Sequence, residues 1–146
     1  MPCRLQLSRK KGWRLPANGR SVARPTLYGN PWAVGDPGTV RMSHDKDSII
    51  SRLATAMTAE DVVTRYACWI AKLTYPERLG QLSGLDIEPS GEWLDHLLAA
   101  LPDLRGLDLA CFCPLCDRHR DGKPFGEVCN DCAPCHSDPL GELANG

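Results

Sequence analysis

Hydrophobic and polar positions first alternate in "RLQLSR", which places Leu5 and Leu7 on one face and predicts a short strand. "KKGWRLPANGR" breaks the pattern with Gly12, Pro16 and Asn18-Gly19, so a loop is expected there. "SVARP" predicts a second strand stopped by Pro25, and Gly29-Asn30-Pro31 predicts a fixed turn. The period then lengthens. Ser48 is placed to cap a helix through about Met57, with Ile49, Ile50, Leu53 and Met57 on one side. Thr58 to Asp61 has the form of a capping box with Asp in place of Glu. The segment that follows, to about Leu73, carries Val62, Val63, Tyr66, Ile70 and Leu73 at helical spacing. A connection spaced with Pro and Gly runs from Thr74 to Gly91. Ser90 is placed to cap a third helix, with Leu94, Leu97, Leu98 and Leu101 inward and Pro102 limiting it.

Beyond Gly106, "GLDLACF" is a short apolar run and predicts a buried strand. Ser137 is placed to cap a last short helix, Pro139 is tolerated in its first turn, and Asn145-Gly146 suits a stop. Strands at both ends of a helical middle predict an α/β or α+β fold. The expectation is one small domain over 1–146, with a small sheet and about three to four helices.

Composition changes this picture little. The 146 residues suit one modest core, and 42% apolar with 24% charged residues is ordinary for a globular chain. No apolar run approaches the ~20 residues of a membrane span. "MPCRLQLSRKKGW" has no apolar signal region, so a cytoplasmic location is expected, where clustered thiols favour metal over disulfides. The net charge of -1 hides an asymmetry: seven Arg or Lys precede the first carboxylate, Asp36. Such a segment serves either as a phosphate-binding patch or as a solvated edge and loop.

The chemistry concentrates in "CFCPLCDRHRDGKPFGEVCNDCAPCH". Cys113-x2-Cys116, twelve residues, then Cys129-x2-Cys132 is the spacing of two zinc knuckles, and predicts one zinc ion held by these four thiolates. Cys111, Cys135, His119 and His136 remain as spare ligands, so two metal sites are the first alternative. Cys129-x2-Cys132-x2-Cys135 leaves an iron–sulfur cluster as another. His119, inside a charged loop, reads as a solvated surface residue.

"RLQLSRKKGWRLPANGRSVARPTLYGNPWAVG" and "LRGLDLACFCP…PCHSDPLGELANG" resemble the family called domain of unknown function 4326, seen in bacteria and their phages. The matching pieces are Ser8 to Pro16, Arg24-Pro25, Gly29-Asn30-Pro31, Cys111, Cys113, and Cys135-His136 with Asp138. The resemblance implies a shared fold and no particular reaction. Typical members run almost directly from the "CFCP" strand end to "PCH". The resemblance therefore implies that residues 114–134 are a zinc-binding insertion, carrying Cys116, Cys129 and Cys132.

Three functions are compatible with these residues. The first is binding or processing of a phosphorylated small molecule such as a nucleotide. Arg14, Arg20 and Arg24 would supply counter-charge, Asn30 a directed hydrogen bond, and Cys135 and His136 would stand as catalytic candidates at the mouth. The second is a zinc-bearing nucleic-acid module using Arg9, Lys10, Lys11 and Trp13, although 6% aromatic content offers few stacking platforms. The third is an accessory protein acting by protein contact. No glycosidase carboxylate pair, Walker loop, Rossmann fingerprint or HExxH motif is present, so no reaction is assigned.

Overall fold

The computed structural model describes residues 2–41, 51–72, 89 and 91–146. In chain order its elements are β1 (Cys3–Gln6), β2 (Gly19–Ser21), β3 (Gly38–Arg41), β4 (Ser51–Ala54), α1 (Ala59–Ile70), α2 (Gly91–Ala100), a 3-10 turn (Leu101–Leu104), β5 (Asp108–Cys111), a second 3-10 turn (Asp117–His119), β6 (Lys123–Pro124) and α3 (Ser137–Asn145). They fall into two units, Met1–Gly29 with His96–Gly146, and Asn30–Asp95.

The first unit is built on a mixed sheet of order β2-β5-β1-β6. β5 lies between two parallel neighbours, pairing Leu109 with Arg4 on one side and Arg20 on the other. β6 closes the far edge antiparallel to β1. β5 is apolar because it is central: Leu109 and Ala110 are fully buried. Helix α3 packs on β1 and β5. Leu140 and Ala144 join Val22, Leu97, Leu104 and Leu109 in the core, and each buried Leu stabilises the fold by about 2 kcal/mol. The C-terminal end of α3 is tied down by Arg105, which donates to the Ala144 carbonyl at 3.2 Å and the Gly146 carbonyl at 3.1 Å.

In the second unit β3 and β4 form an antiparallel pair, with Gly38 opposite Ala54, and α1 packs on β3. The capping box at the start of α1 forms as its sequence predicts: the Asp61 N–H donates to the Thr58 hydroxyl at 3.1 Å, and the Thr58 N–H donates to the Asp61 carboxylate at 2.9 Å. Trp69 then meets Trp32, Tyr66 and Trp93 edge-on at centroid distances of 5.6, 5.7 and 5.7 Å. Edge-to-face geometry sets the positive rim of one ring against the negative face of the next. The buried Arg65 guanidinium lies 4.9 Å from the Trp32 ring centroid.

The α/β or α+β expectation, with a small sheet, holds: the described residues contain a four-stranded mixed sheet and three α-helices. Several local expectations need correction. Ser51–Ala54 is a strand where a helix through Met57 was expected, and residues 48–50 lie outside the described residues. The apolar spacing there fits either period, and pairing with β3 decides it. β2 starts before "SVARP" and ends at Ser21. Leu5 and Leu7 are half-buried, while the residue most deeply buried in β1 is Arg4, at 1% exposure. Helix α1 stops at Ile70, with Lys72 in the left-handed region at φ 57, short of the expected Leu73. Residues 73–88 and the expected cap Ser90 lie outside the described residues. Among the described residues, no helix is long and apolar enough to cross a membrane.

Candidate metal centres

Residues 114–133 form a loop that returns on itself, with the Ala133 N–H donating to the Pro114 carbonyl at 2.9 Å, and its β6 strand forms the edge of the sheet. Inside it, the 3-10 turn Asp117–His119 folds His119 back over Cys116, with the His119 N–H donating to the Cys116 carbonyl at 3.1 Å. This brings Cys116, His119, Cys129 and Cys132 together, with one donor atom from each within 4.8 Å of the others. Cys116 Sγ lies 3.3 Å from His119 Nδ1 and 3.9 Å from Cys129 Sγ, and Cys132 Sγ lies 3.4 Å from the same nitrogen. The other ring nitrogen, Nε2, meets the Glu127 carboxylate at 2.6 Å. A carboxylate there accepts a hydrogen bond from the Nε2–H, which keeps the proton on Nε2 and the Nδ1 lone pair facing the sulfurs. Desolvation would raise the Cys116 thiol, but hydrogen bonds involving Cys132, Cys129 and the His119 and Arg118 backbone outweigh it and lower the pKa to about 7.

The four-sulfur set expected from spacing is therefore changed at one corner. His119 joins the cluster, and Cys113 sits instead 3.9 Å from Cys111, sulfur to sulfur. The signal that points to His119 was present: Cys116-x2-His119 has the same knuckle spacing as Cys113-x2-Cys116. Only the turn that follows Cys116 chooses between them.

A second group lies at the carboxyl ends of the parallel strands. The Leu7 N–H, just beyond β1, donates to the Cys111 carbonyl at 2.9 Å, and the Val22 N–H, just beyond β2, donates to the Ala110 carbonyl at 2.9 Å. The start of α3 packs against this end. Cys111, Cys135 and His136 are all buried, with their donor atoms within 4.8 Å of one another. His136 Nε2 sits 2.7 Å from the Val22 carbonyl. A carbonyl can only accept, so this nitrogen donates and Nδ1 faces Cys135 Sγ, at 3.9 Å. Contrary to the expectation from sequence, Ser137 does not cap α3 with its side chain. Its hydroxyl donates to Cys135 Sγ at 3.2 Å, and His136 takes the cap position. Hydrogen bonds with Cys111 and Cys113 hold the Cys135 thiol well below its ordinary pKa against the opposing effect of burial, and His136 lowers it further. Burial would lower the His136 pKa, but the Cys111 and Cys135 sulfurs reverse this and raise it to about 10.

Both groups are braced by charges that the sequence places far apart. Arg4 donates to Asp138 at 3.1 Å and to the Ala133 carbonyl at 2.7 Å, with longer contacts to the carbonyls of Cys113 and Pro114 at 3.4 Å. Lys123, also buried, donates to the other Asp138 oxygen at 2.9 Å. One residue of β1 thus grips both ends of the 114–133 loop and the first turn of α3. Pattern reading missed this clamp because a buried Arg in a strand looks like a polar surface position.

The remaining candidates are spread out. Arg14, Arg20 and Arg24 are exposed. Arg9 lies over the Phe112 ring at 4.3 Å, and Trp13 is 38% exposed. Asn30 differs from the ligand contact expected of it: it is buried in the second unit, donating to the Val62 carbonyl at 2.9 Å and accepting from the Trp32 N–H at 2.9 Å. Both its polar atoms are engaged in forming the turn.

Residues 5–146 match the profile of a family described as Domain of unknown function (DUF4326). No curated protein and no solved structure matches the chain.

Proposed function

The chain belongs to the domain of unknown function 4326 family, and from its own donor geometry we propose that it is a zinc-binding protein whose ion, held by Cys116, His119, Cys129 and Cys132, folds residues 114–134 onto the sheet. One observation carries this reading: His119 Nδ1 lies 3.3 and 3.4 Å from two sulfurs while Nε2 is held by Glu127. A zinc tetrahedron with ~2.3 Å sulfur bonds and ~2.0 Å nitrogen bonds has edges of about 3.8 Å between sulfurs and about 3.6 Å from sulfur to nitrogen. The cluster's 3.9 Å sulfur separation and its shorter sulfur–nitrogen edges fit after shifts of a few tenths of an ångström. Four protein donors leave no open position, so the ion's role is structural. Replacing His119 with Ala should remove about one zinc ion per chain by elemental analysis. An unchanged zinc content, or iron in its place with a visible absorption band, would reject the reading.

A second reading, binding of a phosphorylated small molecule such as a nucleotide, keeps the support of the exposed Arg14, Arg20 and Arg24. The N-terminus of α3, where a phosphate was expected, starts at the buried Cys135, His136 and Ser137, and the Asp138 N–H already donates to the Cys135 carbonyl at 3.3 Å. A rise in melting temperature with nucleotides that is abolished by R14Q/R24Q would sustain it. No shift at millimolar concentration would end it.

A further inference from the structure

Outside the zinc cluster, the described residues hold one more convergence of soft ligands, and it is buried. Cys111 ends the central strand, Cys113 follows it, and Cys135 and His136 open α3. These positions come from two chain segments joined at the carboxyl end of the parallel strands. Cys111 and Cys113 place their sulfurs 3.9 Å apart, and Cys135 Sγ lies 3.9 Å from His136 Nδ1. Both separations are near the about 3.6 to 3.8 Å edges of a zinc tetrahedron.

We propose that Cys111, Cys113, Cys135 and His136 form a second site for a thiophilic divalent cation of the zinc class, distinct from the cluster in the insertion. Three further features support it. The Val22 carbonyl occupies His136 Nε2 at 2.7 Å and turns Nδ1 toward the sulfurs, so Nδ1 is the nitrogen that an ion would take in place of its proton, as partners beyond a metal commonly arrange. The Ser137 hydroxyl donates to Cys135 Sγ, a contact that favours the thiolate a metal needs. Burial argues against the rival role of Cys135 as a nucleophile, since Cys135 is 1% exposed and His136 5% exposed. A nucleophile must meet its substrate, whereas a structural metal ligand is normally enclosed. Cys113 lies outside the mutually close trio of Cys111, Cys135 and His136, and its sulfur, 3.9 Å from that of Cys111, would swing toward Nδ1 to take the fourth corner. Unlike the cluster in the insertion, this site joins β5 to α3 and so belongs to the core of the first unit.

The test is metal content of the full chain produced with zinc as the sole added metal, in the wild type and in C129S/C132S, which dismantles the other cluster. About two zinc ions in the wild type and about one in C129S/C132S are expected. One in the wild type and none in the variant would overturn this proposal and leave the zinc cluster of the insertion standing. One in both would do the reverse, and none in either would reject both. Cobalt loaded into C129S/C132S should show the visible band and sulfur-to-metal absorption of tetrahedral thiolate ligation. These should be lost on adding Cys135→Ser, and persistence of the same spectrum would overturn the assignment. Because the C129S/C132S readout leaves Cys111, Cys113, Cys135 and His136 untouched, it does not depend on whether a variant at those core residues folds.

Discussion

At the scale of single residues, a metal at the proposed zinc site would compete with protons for the same sulfur atoms. Cys116, with a pKa lowered to about 7, is a thiolate above that value, and protonation displaces it as a ligand below. Cys129 is shifted in the same direction, chiefly by a backbone hydrogen bond at Asp131. Burial shifts Cys132 the other way, above the ordinary thiol value of 9.0. Zinc affinity should therefore fall about tenfold per pH unit from there downward and more steeply below about 7, where Cys116 also takes up a proton, as competition with a chromophoric chelator will show. Glu127 acts one bond further out. Glu127→Gln keeps a hydrogen-bond acceptor for His119 Nε2 but removes its charge, and should weaken zinc binding by about tenfold, the low end for such partners, because Glu127 is 48% exposed. An affinity unchanged from wild type would mean that the 2.6 Å contact does not orient the ring. Cys3 marks the opposite extreme: partial burial and the neighbouring Asp108 raise its pKa to about 11, so its thiol stays protonated at neutral pH.

At the scale of elements, two interactions carry more than their local share. The Thr58 capping box satisfies two backbone N–H groups, and Thr58→Ala should destabilise the protein by about 1 kcal/mol in urea unfolding. Arg4 is different in kind, because the clamp it forms with Asp138 links β1, the stems of the insertion and α3. Arg4→Met fills most of the space but leaves Asp138 with Lys123 and the Gly126 N–H, and strips the Ala133 carbonyl of its 2.7 Å donor. Breaking a buried ion pair from one side costs about 3–5 kcal/mol, so unfolding should move to markedly lower urea concentration. A loss below about 1 kcal/mol would show that Lys123 alone neutralises Asp138. Gly141 adds a steric constraint, since a Cβ there would run into the Phe125 ring, which lets α3 lie close to the insertion.

At the scale of the whole molecule, the proposed metal and the apolar core would hold different parts of the chain. The first unit has an apolar core of Val22, Leu97, Leu104, Leu109 and Leu140, all outside residues 114–134. Residues 114–134 contain little of that core and depend on their ligands. Hydrogen exchange after mild chelation should therefore show residues 116–132 losing protection first, while amides of β5 and α1 stay protected. Simultaneous loss throughout the chain would mean that the metal holds the whole fold. The second unit depends instead on its rings: Trp69, with three aromatic neighbours, should respond by fluorescence to global unfolding and not to chelation.

The sequence by itself determined the features that are local or periodic. The capping box at Thr58 was legible because both partners lie within one helical turn. The strand at Asp108–Cys111 was legible because an unbroken apolar run signals burial on both faces. The zinc-like grouping of Cys116, Cys129 and Cys132 was legible because thiolates two residues apart have one common geometric use. Tertiary structure decided everything that depends on two distant segments meeting. It set His119 against Cys113 as the fourth ligand, since both stand at knuckle distance from Cys116 and only the Asp117–His119 turn selects one. It turned Ser51–Ala54 into a strand, since pairing with β3 outweighs an ambiguous apolar spacing. It buried Arg4, because a carboxylate 134 residues away neutralises a charge that the local pattern would place in water. Sequence spacing encodes geometry only within a turn or a strand. Beyond that range, which donors meet and which charges can be buried is set by the sheet order that brings β1, β5 and the start of α3 together.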